Sequence, residues 1–248
     1  MSREFPETQL SVFAGLQGED EVLRERSFER LLQAYYKPAY KHLRLKWRKS
    51  PEETEDLAQG FFLRVTERST FSAFEPTRGR FRTFLRTCLD NFVLHQEEAR
   101  QRLKRGSAFR VVSSDASEAE HELVANAGES VVDVFDREFV RNLMQRSVAQ
   151  LGERMTASGR PIYFEVLKRY DLCDGTDEPT YASVAAELGI KSSDVTNYLH
   201  AARKELKLLV LDVLRDLTAS QEEFELEAAE LGIIDARALG NVGASLKR

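Results

Sequence analysis

Cysteine, histidine and long apolar runs are all scarce in this chain, and each scarcity closes a class of function. Cys88 and Cys173 are the only cysteines in 248 residues, far apart and in no metal-ligand spacing. A disulfide framework or a thiolate metal site is therefore not expected, and both read as small buried residues. The four histidines, His42, His95, His121 and His200, are scattered. With no P-loop, HExxH, GxSxG or CxxC pattern present, a hydrolase or metalloenzyme lacks its parts. We expect no enzymatic activity, no cofactor and no metal. Nothing approaches the ~20 apolar residues that cross a bilayer. The opening MSREFPETQLSVFAG carries acidic residues and no long apolar stretch, unlike a secretion signal. A cytoplasmic protein without a membrane partner is expected. Alternating apolar and polar residues of the strand type are missing too, so the expected fold class is all-α.

What is present is charge, unevenly spread. Hydrophobic residues make up 42% of the chain and charged ones 31%, enough for one or two soluble domains, and the net charge is −5. Residues 28–110 nevertheless hold 18 Lys/Arg against 10 Asp/Glu, whereas residues 111–140 hold 1 against 8. Residues 141–217 balance at 11 of each, and both chain ends are acidic. Charge divided this way implies separate modules with separate partners.

Helical spacing of Phe28, Leu31, Leu32, Tyr35 and Leu43 predicts a helix over about 22–48, kinked or interrupted at Pro38. Ser50, Pro51 and Glu53 predict the start of a second helix: an N-cap, a first-turn proline and a capping box. A third helix is predicted over about 80–103, burying Phe81, Phe84, Leu85, Cys88, Leu89 and Phe92, after a loop marked by Pro76 and Gly79. Residues 106–133 are rich in Ser, Ala, Glu and Gly with little periodicity, and read as an acidic linker. Helices are predicted again at about 134–151 and 160–171, and SQEEFELEAAELG reads as a short acidic helix capped by Ser220 and Glu223.

The most specific local pattern lies at 180–207. Thr180 caps a short helix with Tyr181, Val184, Ala185 and Leu188 on one face, and Gly189 ends it. Ile190 packs in the turn, Ser192 caps the next helix, and Val195, Leu199, Ala202 and Leu206 recur at helical steps. This is a helix-turn-helix, whose second helix can enter a major groove. Its other face carries Ser193, Asp194, Thr196, Asn197, His200, Arg203 and Lys204. Asn can read adenine, Asp can accept from cytosine, and Arg or Lys can hold phosphate. A plain helical hairpin with a solvated polar face is the competing explanation. The basic excess at 28–110, with Arg78, Arg80, Arg82, Arg86, Arg100, Arg102, Lys104 and Arg105 near a Phe stripe, likewise suits a polyanion or unstacked bases, against a merely solvated face.

EDLAQGFFLRV (55–65), RGRFRTFLRTCLDNFV (78–93) and YASVAAELGIKSSDVTNYLHAARKEL (181–206) stand in an order and spacing that resemble the bacterial RNA polymerase sigma factors of the extracytoplasmic-function type, over roughly residues 20–217. The resemblance implies a region 2-like domain at 20–105, an acidic linker at 106–133, a region 4-like helix-turn-helix domain at 134–217, and an acidic extension at 218–248. It implies that Glu55, Asp56 and Gln59 grip the clamp of the largest polymerase subunit, while the second domain meets the flap of the second-largest. Minus-ten DNA would meet Arg78, Arg80, Arg82, Arg86 and Asn91, with a flipped base held near Asn91. Extruding that base costs a few kcal/mol. Minus-thirty-five DNA would meet Ser193, Asp194, Thr196, Asn197, His200, Arg203 and Lys204. The linker would thread a positive channel of the polymerase. Thr196, Asn197 and Tyr198 stand where the family often has basic residues, implying modest affinity for duplex DNA. Control would come from an anti-sigma factor or a Ser/Thr kinase, with Thr54 beside the clamp carboxylates as the candidate phosphorylation site. The rival is a stand-alone helix-turn-helix regulator with an N-terminal interaction domain.

Overall fold

Several helices begin where a side chain satisfies their free amides. Asp20 accepts from the Val22 and Leu23 amides at 3.0 and 3.2 Å and opens the first of them. Ser50 accepts from Glu53 N at 3.2 Å, and the Glu53 carboxylate returns to the Ser50 amide, with Pro51 at the first helical position. The computed structural model describes residues 12–66, 74–75, 79–106, 131–173 and 179–232. Among them every regular element is an α-helix: α1 (Val12–Gln17), α2 (Glu21–Lys46), α3 (Pro51–Val65), α4 (Phe81–Gly106), α5 (Val131–Ala157), α6 (Pro161–Tyr170), α7 (Tyr181–Leu188), α8 (Ser192–Asp216) and α9 (Gln221–Glu230).

These helices form two units, one holding the described residues up to 142 together with 215–231, the other holding the described residues of 143–214. In the first unit α2 runs unbroken through Pro38, which is buried inside it. Its core is aromatic. Phe81 lies 4.3 Å from Phe13, 5.3 Å from Phe74 and 5.7 Å from Tyr35, centroid to centroid. Such rings each bury a large apolar area and gain about 0.5–1.5 kcal/mol per pair beyond it. The expected modules begin at about residue 20, yet α1 belongs to this unit, with Val12, Phe13 and Leu16 buried. A Cβ on Gly15 would stand 1.9 Å from Ser27 Oγ, so only glycine allows this approach.

Two boundaries differ from expectation. The first part of α5 groups with the first unit because its apolar face is spent there. Val134, Phe135 and Phe139 are buried, Phe139 stacks on Tyr35 at 5.1 Å, and Asn142 donates to the carbonyls of Gln33 and Ala34 at 2.5 and 2.9 Å. Residues 215–231 join the same unit rather than forming a separate extension, because α9 buries Phe224 and Ala228. Most of the expected linker, residues 107–130, lies outside the described residues, as do 233–248.

The second unit packs α5 from Leu143 onward with α6, α7 and α8. Its core gathers Leu151, Met155, Val166, Leu167, Val184, Val195 and Leu199, flanked by Tyr163, Tyr170 and Tyr198. Cys173 is exposed and Cys88 only half-buried, contrary to the expectation of two core cysteines. Cys173 follows the last buried turn of α6, and Cys88 sits at the margin of the apolar stripe of α4.

Candidate nucleic-acid interface

The row Glu55, Asp56 and Gln59 lies on the solvent face of α3, opposite buried Leu57, Ala58, Phe61 and Phe62. Among the described residues none of the three makes a side-chain hydrogen bond or ion pair. One turn on, Leu63 is 71% exposed, a large apolar group that the sequence reading missed because it sits in an otherwise ordinary apolar run. Acid, amide and leucine thus form one open row on a rigid helix. Thr54 corrects an expectation. It has 0% exposure, and its hydroxyl donates to the Ser50 carbonyl at 2.8 Å, so a kinase has no access to it in this fold.

The start of α4 gathers the basic residues expected at the minus-ten element, but not in the open. Arg82 is only 3% exposed. It stands 3.1 Å from Glu227 and 3.5 Å from Glu230 of α9, 3.4 Å from Asp136 of α5, and over the Phe139 ring at 5.3 Å. Arg86 lies 3.6 Å from the same Asp136 and over Phe135. Arg80 pairs with Glu230 and reaches Glu227 at 4.0 Å. Arg78 lies outside the described residues. The expectation of a free basic strip is therefore corrected for these three: acidic side chains of the same chain already neutralise them. Nothing local to α4 announced this, since the partners sit about 50 to 150 residues further along the chain.

Glu223 completes the cluster. Its carboxylate accepts from the Phe81 amide at 2.6 Å and from Ala219 N at 2.8 Å, so a residue of α9 caps the N-terminus of α4. The expected capping box at Ser220 is half formed: Ser220 caps Glu223 N at 3.1 Å, but the Glu223 side chain turns to these other amides. Burial pushes the Glu223 and Glu227 carboxyls up from their ordinary range; the amide bonds to Glu223 and the nearby Arg80 and Arg82 charges pull the other way without cancelling it. Arg82 Nε, Arg86 NH1, Asp136 Oδ1 and Glu227 Oε2 are buried without an aligned hydrogen bond, so charge proximity rather than bonded geometry holds them.

Further along α4, Asp90 and Asn91 diverge. Asp90 faces inward and collects His42 Nε2 at 2.9 Å, Lys46 Nζ at 2.7 Å and Trp47 Nε1 at 2.9 Å. Burial pushes its carboxyl up, but these three bonds outweigh that and hold it well below the usual carboxylate range. Asn91 is exposed. The inward anchor at Asp90 fixes the outward direction of its neighbour.

In the second unit the helix-turn-helix is built as its sequence demands. Thr180 and Ser183 cap each other at the start of α7, Gly189 ends it at φ 65°, and the Ile190 amide bonds the Ala185 carbonyl at 3.0 Å. Lys191, not Ser192, precedes the first residue of α8, and the cap contact comes from Asp194, whose carboxylate accepts from Lys191 N at 3.4 Å. Asp194 is thus half-buried and engaged. Ser193, Thr196, Asn197, His200 and Lys204 face solvent. Arg203 is exposed but clamped: its guanidinium donates to both Asp171 oxygens at 2.8 and 2.6 Å and lies over Tyr170 at 5.7 Å. The open reading face is therefore Ser193, Thr196, Asn197, His200 and Lys204, with Arg203 and Asp194 given to local structure. No family model, curated protein or solved structure matches the chain.

Proposed function

We propose that the protein is an RNA polymerase sigma factor of the extracytoplasmic-function type, working with promoter DNA and the polymerase core. The unpaired acidic row of α3 carries this reading. Glu55 and Asp56 would repel a phosphate backbone, so they suit a basic protein surface, and Gln59 and Leu63 extend the same face. The helix-turn-helix would then read the upstream element through Ser193, Thr196, Asn197, His200 and Lys204, with the Asn197 amide able to pair with adenine. Asn91 would serve the melted downstream element. The chain would do no covalent chemistry: it would lend direction to a polymerase that supplies the bond-forming site.

The test is run-off transcription with core polymerase on a randomised promoter library. We expect promoter-dependent transcripts only when the chain is added. Asp56→Arg should abolish association with the core, and Asn91→Ala should leave association intact but depress open-complex formation. A chain that shifts a duplex tightly by itself, and adds no initiation to the core, is a stand-alone regulator and overturns the proposal.

A further inference from the structure

Three of the five acidic residues of α9, Glu223, Glu227 and Glu230, are spaced four and three apart, which puts them on one side of the helix. That side meets the start of α4, where Arg80 and Arg82 lie. A helix N-terminus attracts anions through free amides and its dipole, and here the α4 terminus adds Arg80 and Arg82. Glu223 takes the Phe81 amide at 2.6 Å, Glu227 lies 3.1 Å from Arg82, and Glu230 bridges Arg80 and Arg82. We propose that α9 is a built-in competitor for nucleic acid: its carboxylates fill the anion site made by the start of α4 with Arg80 and Arg82, and single-stranded DNA occupies that site only when α9 leaves. The nature of the displaced ligand rests on the promoter reading above; the masking itself does not.

Two features make the contact a latch rather than a permanent seam. Arg82 Nε and Glu227 Oε2 are buried without aligned hydrogen bonds, so the pair recovers only part of its desolvation cost. The apolar anchor of α9 is small, consisting chiefly of Phe224 and Ala228, with Phe224 under the Arg215 guanidinium at 4.6 Å. A strand offering several phosphates can replace three carboxylates at such a site, with counterion release in its favour. Asp136, on the other side of Arg82 and Arg86, stays in place when α9 departs.

The experiment compares charge-matched variants of the full chain. Glu227→Lys sets a cation against Arg82, whereas Glu225→Lys reverses a charge on the same helix, at a residue whose one side-chain hydrogen bond among the described residues is with Gln221, at 2.7 Å. Affinity for a fluorescein-labelled 30-nucleotide single strand is measured by anisotropy without polymerase, with Trp47 fluorescence reporting that the first unit is folded. A lid closed about nine-tenths of the time weakens apparent affinity about tenfold. Glu227→Lys should therefore bind roughly tenfold tighter than Glu225→Lys. If Glu227→Lys does not fold, hydrogen exchange on the unaltered chain decides: added single strand should speed exchange at 221–230 and slow it in the first turn of α4. Equal affinities of the two variants, or exchange at α9 that the single strand leaves unchanged, overturns the proposal. Run-off transcription is scored separately, so failure of the promoter reading remains distinguishable from failure of the latch.

Discussion

The openings of α4 and α8 carry the same kinds of side chain, arginines and small polar groups on a helix face, yet they meet solvent differently. At α8 Ser193, Thr196, Asn197 and His200 stand open, and the single arginine there, Arg203, is held by a nearby aspartate. At α4 Arg80, Arg82 and Arg86 are met by three carboxylates, Asp136, Glu227 and Glu230, and Arg82 is nearly enclosed. The difference is one of context. A neutral polar face needs no counter-charge and can wait in water. A cluster of arginines beside a helix N-terminus is a strong field, and a chain with spare acids elsewhere tends to satisfy it. Availability of a cation is thus a tertiary property.

Perturbing each unit at points of different depth sharpens that contrast. Phe81→Ala should have the largest effect, removing the ring that Phe13, Phe74 and Tyr35 share. We expect a loss of about 3–5 kcal/mol in denaturant unfolding followed by Trp47 fluorescence. Unfolding of the second unit, followed by exchange of the α7 and α8 amides, should move far less.

Asp90→Asn should cost about 1.5–3 kcal/mol, the range for hydrogen bonds to a charged group. The pH dependence has a fixed sign. Because the folded carboxyl is held low, its contribution is complete above its unfolded value of about 3.9 and is lost as pH falls toward the folded one. The native chain should therefore lose stability as pH falls below about 4, and Asp90→Asn should flatten that slope.

A smaller effect is expected in the second unit. Gly189→Ala places a Cβ at φ 65° and should cost about 1–2 kcal/mol, read as a lower thermal midpoint of the second unit alone. Smallest of all, Glu55→Ala and Gln59→Ala should change stability by less than about 0.5 kcal/mol, since both side chains stand in water. A large loss at either position would mean that the row on α3 is structural and not an interaction face.

Local patterning made much of the fold legible. The capping box of α3, the Thr180 cap of α7, the left-handed Gly189 and the apolar spacing of α8 are interactions within a few residues of one another, and each formed where the sequence places it. The open polar residues of α8 were legible for the same reason, since a face opposite a periodic apolar stripe is left to solvent. Thr54, Arg203 and Ser192 were misjudged because a side chain's polarity does not reveal whether its hydrogen bonds are made at home. The fate of Arg80, Arg82 and Arg86 could not be read at all from their own segment.

By itself, then, the sequence determined the helical class, most helix starts and which faces are apolar, because periodicity and capping act over one or two turns. The tertiary structure alone decided that α1, the first part of α5 and α9 complete the first unit, and that its arginines face carboxylates from distant parts of the chain. Burial and charge pairing depend on which segments meet in space, and a solitary helix has no means of recording that.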